Sequence, residues 1–390
     1  MTGFWKKLVE IGKQETVLCV AAVLAVGSML VILPDLAYVE YIDYKVLAIL
    51  FSLMVVMEGL RVAGVFDKKS HVILNKADNL RQLSFIMVFL CFFSAMLITN
   101  DVALITFVPF TLLMLSMVDD SVENGGEKRD VKGEQAVIIV VLETIAANMG
   151  SMLTPVGNPQ NLYLYTISGM GIWEFLTVTF PITLLSGVLL FCCCMGIKKQ
   201  PIRPDGRMMG EIRRSEQTGT TKRLVFYCLL FVISLLSVLR VVPEWIPCLL
   251  AIAGTLLLQP KVLLKVDYGL LLTFVCFFIF IGNIGRVDMV RTWLETLLSG
   301  RELWVSYLTS QITSNMPAAV LLTDFTVAYK ELIRGVNIGG LGTLIASLAS
   351  VISYKLFVQK LPQKKGRYFA YFTLFNIAFA IILLGFAAIL

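Results

Sequence analysis

Only one histidine, His71, occurs in 390 residues, so neither a multi-histidine metal centre nor a histidine proton relay can be assembled within one copy of the chain. Eight cysteines follow no metal-ligand spacing and sit almost entirely in apolar runs, where they read as small packing residues. Charge is scarce as well. Asp, Glu, Lys and Arg together make up 15% of the chain, too little to cover the surface of a soluble protein. Walker A, HExxH and GxSxG patterns are all missing, which argues against an intramembrane enzyme. A repeated pore-loop signature is missing too, which argues against a channel.

Apolar sequence of membrane-spanning length fills the chain instead: 57% of residues are hydrophobic and the mean hydropathy is +0.82. The expected class is an all-α polytopic protein of a lipid bilayer, most simply the cell membrane. Nine crossings are expected, at 16–33, 44–66, 135–166, 173–197, 224–241, 245–258, 268–285, 337–354 and 368–390. The first runs into Pro34-Asp35 without a small-residue cleavage pattern and reads as a retained helix. Two further apolar segments, 82–117 and 302–329, are split in the middle, and each is read as a re-entrant helical hairpin with its polar tip near mid-membrane.

The net charge of +6 would suggest nucleic acid in a soluble protein, but here the cations sit in short loops and set orientation. With nine crossings, 25 of the 33 Lys and Arg residues fall on the side that holds the N-terminus and five on the other. The N-terminus is therefore expected in the cytoplasm and the C-terminus outside. Counted along the nine, the first crossing (16–33) and the sixth (245–258) run in opposite directions, so the two halves are related by inversion. The chain divides into a first repeat at 1–197, a basic cytoplasmic linker at 198–223 and a second repeat at 224–390.

The halves share an order of motifs. Asp43-Tyr44 answers to Asp267-Tyr268, Asn100 to Asn315, and Asn148, Gly150 and Thr154 to Asn337, Gly339 and Thr343. Around them lie LITNDVALITFVPF (97–110) with ANMGSMLTPVGNPQN (147–161), and TSNMPAAVLLTDF (313–325) with VNIGGLGTLIASLAS (336–350). Asn, Asp, Thr, Gly and Pro are costly inside a bilayer unless they face a cavity or a ligand, so paired breaks of this kind point to a transport site. A helix that begins at mid-membrane exposes unpaired N–H groups and a positive dipole end, which suits an anion, while unwound carbonyls and amide oxygens suit sodium. The bland alternative is that these residues cap kinked helices and bond neighbouring helices without touching a substrate.

Ionisable groups inside the spans divide by position. Glu58 and Arg61, three apart, neutralise one another most simply; Glu143 is a candidate coupling residue or a buried pairing group; Asp324 falls near the end of the second hairpin. Asp101 stands apart because it occupies a tip itself, and it is the leading candidate for coupling to a cation.

At these motifs, TND, GSMLTPVGNPQNL, SQITSNMPAA and NIGGLGTLIAS, the chain resembles the ion transporter superfamily of arsenite permeases, sodium/proton antiporters, metal-citrate carriers and divalent-anion/sodium symporters. The resemblance implies an inverted-repeat carrier with a scaffold and a moving transport domain, alternating access of the elevator type, and a homodimer formed through the scaffold. It implies substrate- and ion-binding tips at Thr99, Asn100 and Asp101 and at Ser314, Asn315 and Pro317. The unwound segments it implies contain Asn148, Gly150, Ser151, Thr154, Pro155, Gly157, Asn158 and Pro159, with Asn337, Gly339, Gly340, Thr343 and Ser347. The second half departs from the first, with Ala346-Ser347 in place of Gly157-Asn158 and no following proline, so its ion is expected to be held differently or to be absent. The function expected is secondary active transport of a small inorganic or carboxylate anion, with sodium or protons as partner and no cofactor beyond a sodium ion. A cation/proton antiporter or an exporter of a metalloid such as arsenite is the alternative on the same scaffold.

Overall fold

The computed structural model describes residues 16–63, 79–116, 131–200 and 221–390; His71, the N-terminal lysines and the middle of the three longest basic loops lie outside the described residues. Among the described residues there is no strand, and the chain is a succession of helices. The first half contributes α1 (Thr16–Met29), α2 (Ala37–Tyr41), α3 (Tyr44–Val62), α4 (Leu80–Ala95), α5 (Asn100–Ser116), α6 (Val131–Ser151), α7 (Pro159–Ser168) and α8 (Ile172–Met195). The second contributes α9 (Thr221–Val238), α10 (Trp245–Leu258), α11 (Tyr268–Gly285), α12 (Asp288–Leu298), α13 (Glu302–Thr313), α14 (Asn315–Thr323), α15 (Tyr329–Ile338), α16 (Leu348–Lys360) and α17 (Lys365–Ala387).

Local chemistry fixes where these helices begin. Asp43 and Asp267 cap α3 and α11 in the same way, each carboxylate accepting from the backbone N–H three residues on at 2.9 Å. Asn79 caps α4 through the Gln82 N–H, and Asn158 caps α7 through the Asn161 N–H with Pro159 at the first helical position. Each cap is worth about 1 kcal/mol, and Gly169 ends α7 in the left-handed conformation at φ 71°.

Four helical stretches are long and apolar enough to cross a bilayer: Gly133–Ser151, Ile172–Met195, Tyr268–Gly285 and Pro362–Ala387. The apolar window of the first is 83% buried, against 33–39% for the others, so the helix that carries Asn148 runs through the protein centre while the rest present apolar sides outward. Around it pack α4, α5, α8, α16 and α17. A second assembly places α1 along α11 and sets both α9 and α10 against α3. The chain is a polytopic helical membrane protein.

The structure redraws three boundaries. The crossing read at 337–354 is two helices, α15 and α16, separated by the unwound segment 339–347, so Asn337 ends a helix and does not begin one. The second split segment closes at Thr323, before Tyr329. Residues 288–298, which belong to none of the expected spans, form α12, which buries Leu298 but exposes Met289 and Trp293 and bears an Arg291–Glu295 ion pair one turn apart. Eleven residues are too few to span a bilayer, so hydropathy counting passes over such a helix.

Candidate functional site

Both split segments turn at a strained residue. Thr99, at φ 27°, precedes Asn100 at the start of α5, and Ser314, at φ 79°, precedes Asn315 at the start of α14. Positive φ is unfavourable for residues with a Cβ, and such strain persists where surrounding contacts hold it in place. Here the contacts match between halves. Thr154 donates through its hydroxyl to the carbonyl of Met96, and Thr343 donates in the same way to the carbonyl of Gln311. Met96 and Gln311 each stand four residues before the tip asparagine. Each turn is thereby bonded to its own unwound segment.

The asparagines link the two halves to one another. Asn148 Oδ1 accepts from Asn100 Nδ2 and from Ser347 Oγ, both at 3.0 Å, while its Nδ2 reaches Ser350 Oγ at 3.2 Å and the carbonyl of Gly340 at 3.4 Å. Asn158 Nδ2 donates to Asn337 Oδ1 at 3.2 Å, and Asn337 Nδ2 donates to Asn161 Oδ1 at 2.6 Å. Ser151 donates to the carbonyl of Asn148 and accepts from Asn158. Asn148, Asn158 and Asn337 therefore direct both N–H groups of each side-chain amide to protein, and bonds of all three cross between the halves. Asn315 differs: its side chain is buried to 6% exposure and makes no hydrogen bond to a described residue.

Glycine permits the close approaches this network needs. A Cβ on Gly150 would stand 2.0 Å from the carbonyl oxygen of Phe92, so α6 and α4 could not meet there with any other residue. Gly157 offers its carbonyl to the N–H of Asn100, and Pro155 is buried in the same turn. In the second half Ser314 bonds the carbonyl of Ala346, Pro317 is buried in the first turn of α14, Gly339 lies against Ser310, and Gly340 lies against Asn315.

A cavity of about 240 Å³ reaches Thr99, Asp101, Asn158 and Pro159, walled by Leu53, Met57, Val102, Val156, Leu162 and Leu348 among others. The first tip and the first unwound segment thus share one space with α3. Asn315, Ser314 and Thr343 do not line it. Glu143 does not either: fully buried on α6, it is bonded to Thr111, with its second carboxyl oxygen unpartnered. Asp324 is exposed beyond the end of α14. Of the two coupling candidates, Asp101 and Glu143, Asp101 is the one that lines the cavity, where Glu58 and Asp267 also stand.

Two residues of the network carry no signal in the spacing of motifs. Asn161 holds three carbonyls of the first unwound segment through its Nδ2, those of Ser151, Met152 and Thr154. Gln311 does the corresponding work in the second. Its Nε2 donates to the carbonyls of Gly339 and Leu341 at 3.0 and 2.9 Å, and its Oε1 accepts from the N–H of Thr343 at 2.9 Å. Gln311→Ala is expected to lower the stability of the purified protein by about 1–3 kcal/mol, because it strands buried backbone groups, and to reduce transport with it. An unchanged melting temperature in detergent would remove Gln311 from this role.

The family model of citrate transporters matches residues 8–334, most of the chain. The chain belongs to the citrate transporter family. An uncharacterized transporter of Methanocaldococcus jannaschii is 32% identical over 340 residues, covering 85% of this chain and 87% of its own. Inner membrane protein YbiR of Escherichia coli is 30% identical over 322 residues, covering 81% and 80%. Silicon efflux transporter LSI3 of Oryza sativa subsp. japonica is 29% identical over 168 residues, 42% of this chain and 31% of its own. This family member is a transporter and not an enzyme.

Proposed function

We propose that the chain is a secondary active carrier for a small inorganic or carboxylate anion, driven by sodium or protons and working by elevator-type alternating access. The observation that carries this reading is the cavity that ends at the Thr99–Asp101 tip, where an unwound segment, the start of α5 and one carboxylate meet between α3 and the helices around α6. Helix starts and unwound backbone at the end of a cavity supply donors to an anion and carbonyls to a cation without a buried unpaired lysine or arginine. The halves 1–197 and 224–390 act as inverted repeats joined by the linker 198–223, a reading supported by the matching caps of Asp43 and Asp267 and the matching bonds of Thr154 and Thr343. The N-terminus and the linker lie in the cytoplasm, the C-terminus lies outside, and two copies pair through the scaffold domain.

A second reading, export of an uncharged metalloid hydroxide or a cation, is favoured by the likeness to a silicon efflux transporter and by Asp101, which has no ion-pair partner among the described residues. Counterflow in proteoliposomes tests both. With labelled citrate outside and excess citrate inside, the first reading predicts transient accumulation of label, and arsenite in place of citrate tests the second. A linear leak with neither overshoot identifies a channel and overturns the carrier reading.

A further inference from the structure

The cavity at the Asp101 tip adjoins a second, larger cavity of about 550 Å³ lined by Val62, Thr106, Pro109, Phe110 and Leu113, and the two share Arg61, Ile105 and Lys265 in their walls. These shared residues border both cavities, and their meeting place is called the neck. A solute moving between the wide cavity and the tip passes them. Glu58 and Asp267 line the inner cavity with them, which brings two cations and two carboxylates to the wall of one cavity.

The four charges are not equally available. Arg61 is held by Glu58 in a two-pronged pair, Nε to Oε2 at 2.7 Å and NH2 to Oε1 at 2.8 Å, so each spends its charge on the other. Asp267 caps α11 through the N–H of Leu270 at 2.9 Å, where the positive end of the helix compensates it. Lys265 ends the 3-10 turn Pro260–Lys265 and is exposed, with no hydrogen bond or ion pair to any described residue. A bound side-chain pair presents little net field to a passing ion, whereas an unpaired ammonium presents a full charge.

We propose that Lys265 is a charge-selecting residue at the neck, which favours passage of small anions over cations toward the Asp101 tip. Asp101 repels the same anions further in, so the neck and the tip divide the work: Lys265 raises the local concentration of anion, and Asp101 withholds the final site until a cation arrives. That neck lies on the transport route rests on the carrier reading above. Its charge preference does not, and can be measured with no knowledge of the substrate.

Val102 lines the inner cavity but not the wide one, so a Val102→Cys thiol stands beyond the neck. The full-length protein in membranes is labelled at this position with an anionic and a cationic methanethiosulfonate of similar size, and modification of the Val102→Cys peptide is followed by mass spectrometry. The ratio of anionic to cationic rate is expected to fall about fivefold in Lys265→Gln and more than tenfold in Lys265→Glu, and to hold in Lys265→Arg, with the effect shrinking at high salt. Reaction with an uncharged maleimide at an unchanged rate in all variants shows that the cavity is intact. A ratio unmoved by Lys265→Glu, with maleimide access unchanged, overturns the proposal. A shifted ratio accompanied by no counterflow of any anion retains Lys265 as a charge filter and rejects anion transport, so the two readings fail separately.

Discussion

Asn315→Ala is expected to abolish substrate binding and counterflow while leaving the melting temperature of the protein close to its starting value. The side chain is buried at the start of α14, bonds to no described residue and lies against Gly340 in the second unwound segment. Removing it strands no partner, so a structural role has almost nothing to lose. Its counterpart behaves differently. Asn100 Nδ2 bonds Asn148 Oδ1 at 3.0 Å and its Oδ1 accepts from the Asp101 N–H at 3.1 Å, so Asn100→Ala breaks one buried and one half-buried bond and leaves Asn148 short of a donor. That substitution is expected to cost about 1–3 kcal/mol of stability along with transport. Thermal denaturation in detergent beside counterflow in proteoliposomes separates the pair. Full counterflow in Asn315→Ala removes the second tip from the site, and equal destabilisation in both variants reduces the two asparagines to helix-end structure.

Much of this site is legible in the sequence because its cost is legible. TND and SNMP interrupt apolar runs with residues a bilayer rejects, and the structure places both at strained turns before the helix starts of α5 and α14. Asp43 and Asp267 before matching spans are capping residues whose geometry can be anticipated from type and position alone. The break in the second half is harder to read. Lys330, Glu331 and Arg334 lower the hydropathy of α15 below that of a span, yet Leu332, Ile333 and Val336 on its other side are fully buried, so a window average misses a helix that a periodicity of 3.6 would find. Gln311 is less legible still, because its partners lie about thirty residues on, in a segment whose unwinding is itself a tertiary outcome. Which asparagines are consumed by the protein, and which one keeps free donors and acceptors, depends on contacts between halves that spacing does not encode.

Asp101→Asn is expected to abolish accumulation driven by a sodium or proton gradient and to leave, at most, passive exchange of substrate. The carboxylate lines the inner cavity in the first turn of α5, and it has no cationic partner among the described residues. Its neighbours do not supply one: Arg61 is held by Glu58, and Lys265 stands at the neck. A negative charge near the end of a cavity, in surroundings less polar than water, attracts a cation and repels a free anion more strongly than it would in bulk solvent. A cation bound first removes the repulsion and completes the site, so the order of binding couples the two solutes. Asn keeps the shape and one acceptor oxygen but not the charge, which takes away the requirement for the cation without emptying the cavity. The measurement is uptake into proteoliposomes under imposed sodium and pH gradients, compared with counterflow at equal sodium and pH on both sides. Loss of the first with retention of the second assigns the coupling to Asp101. A variant that accumulates substrate with unchanged sodium and pH dependence would show that Asp101 serves only the positive end of α5, and that coupling belongs to another carboxylate, with Glu143 on α6 the next to be replaced.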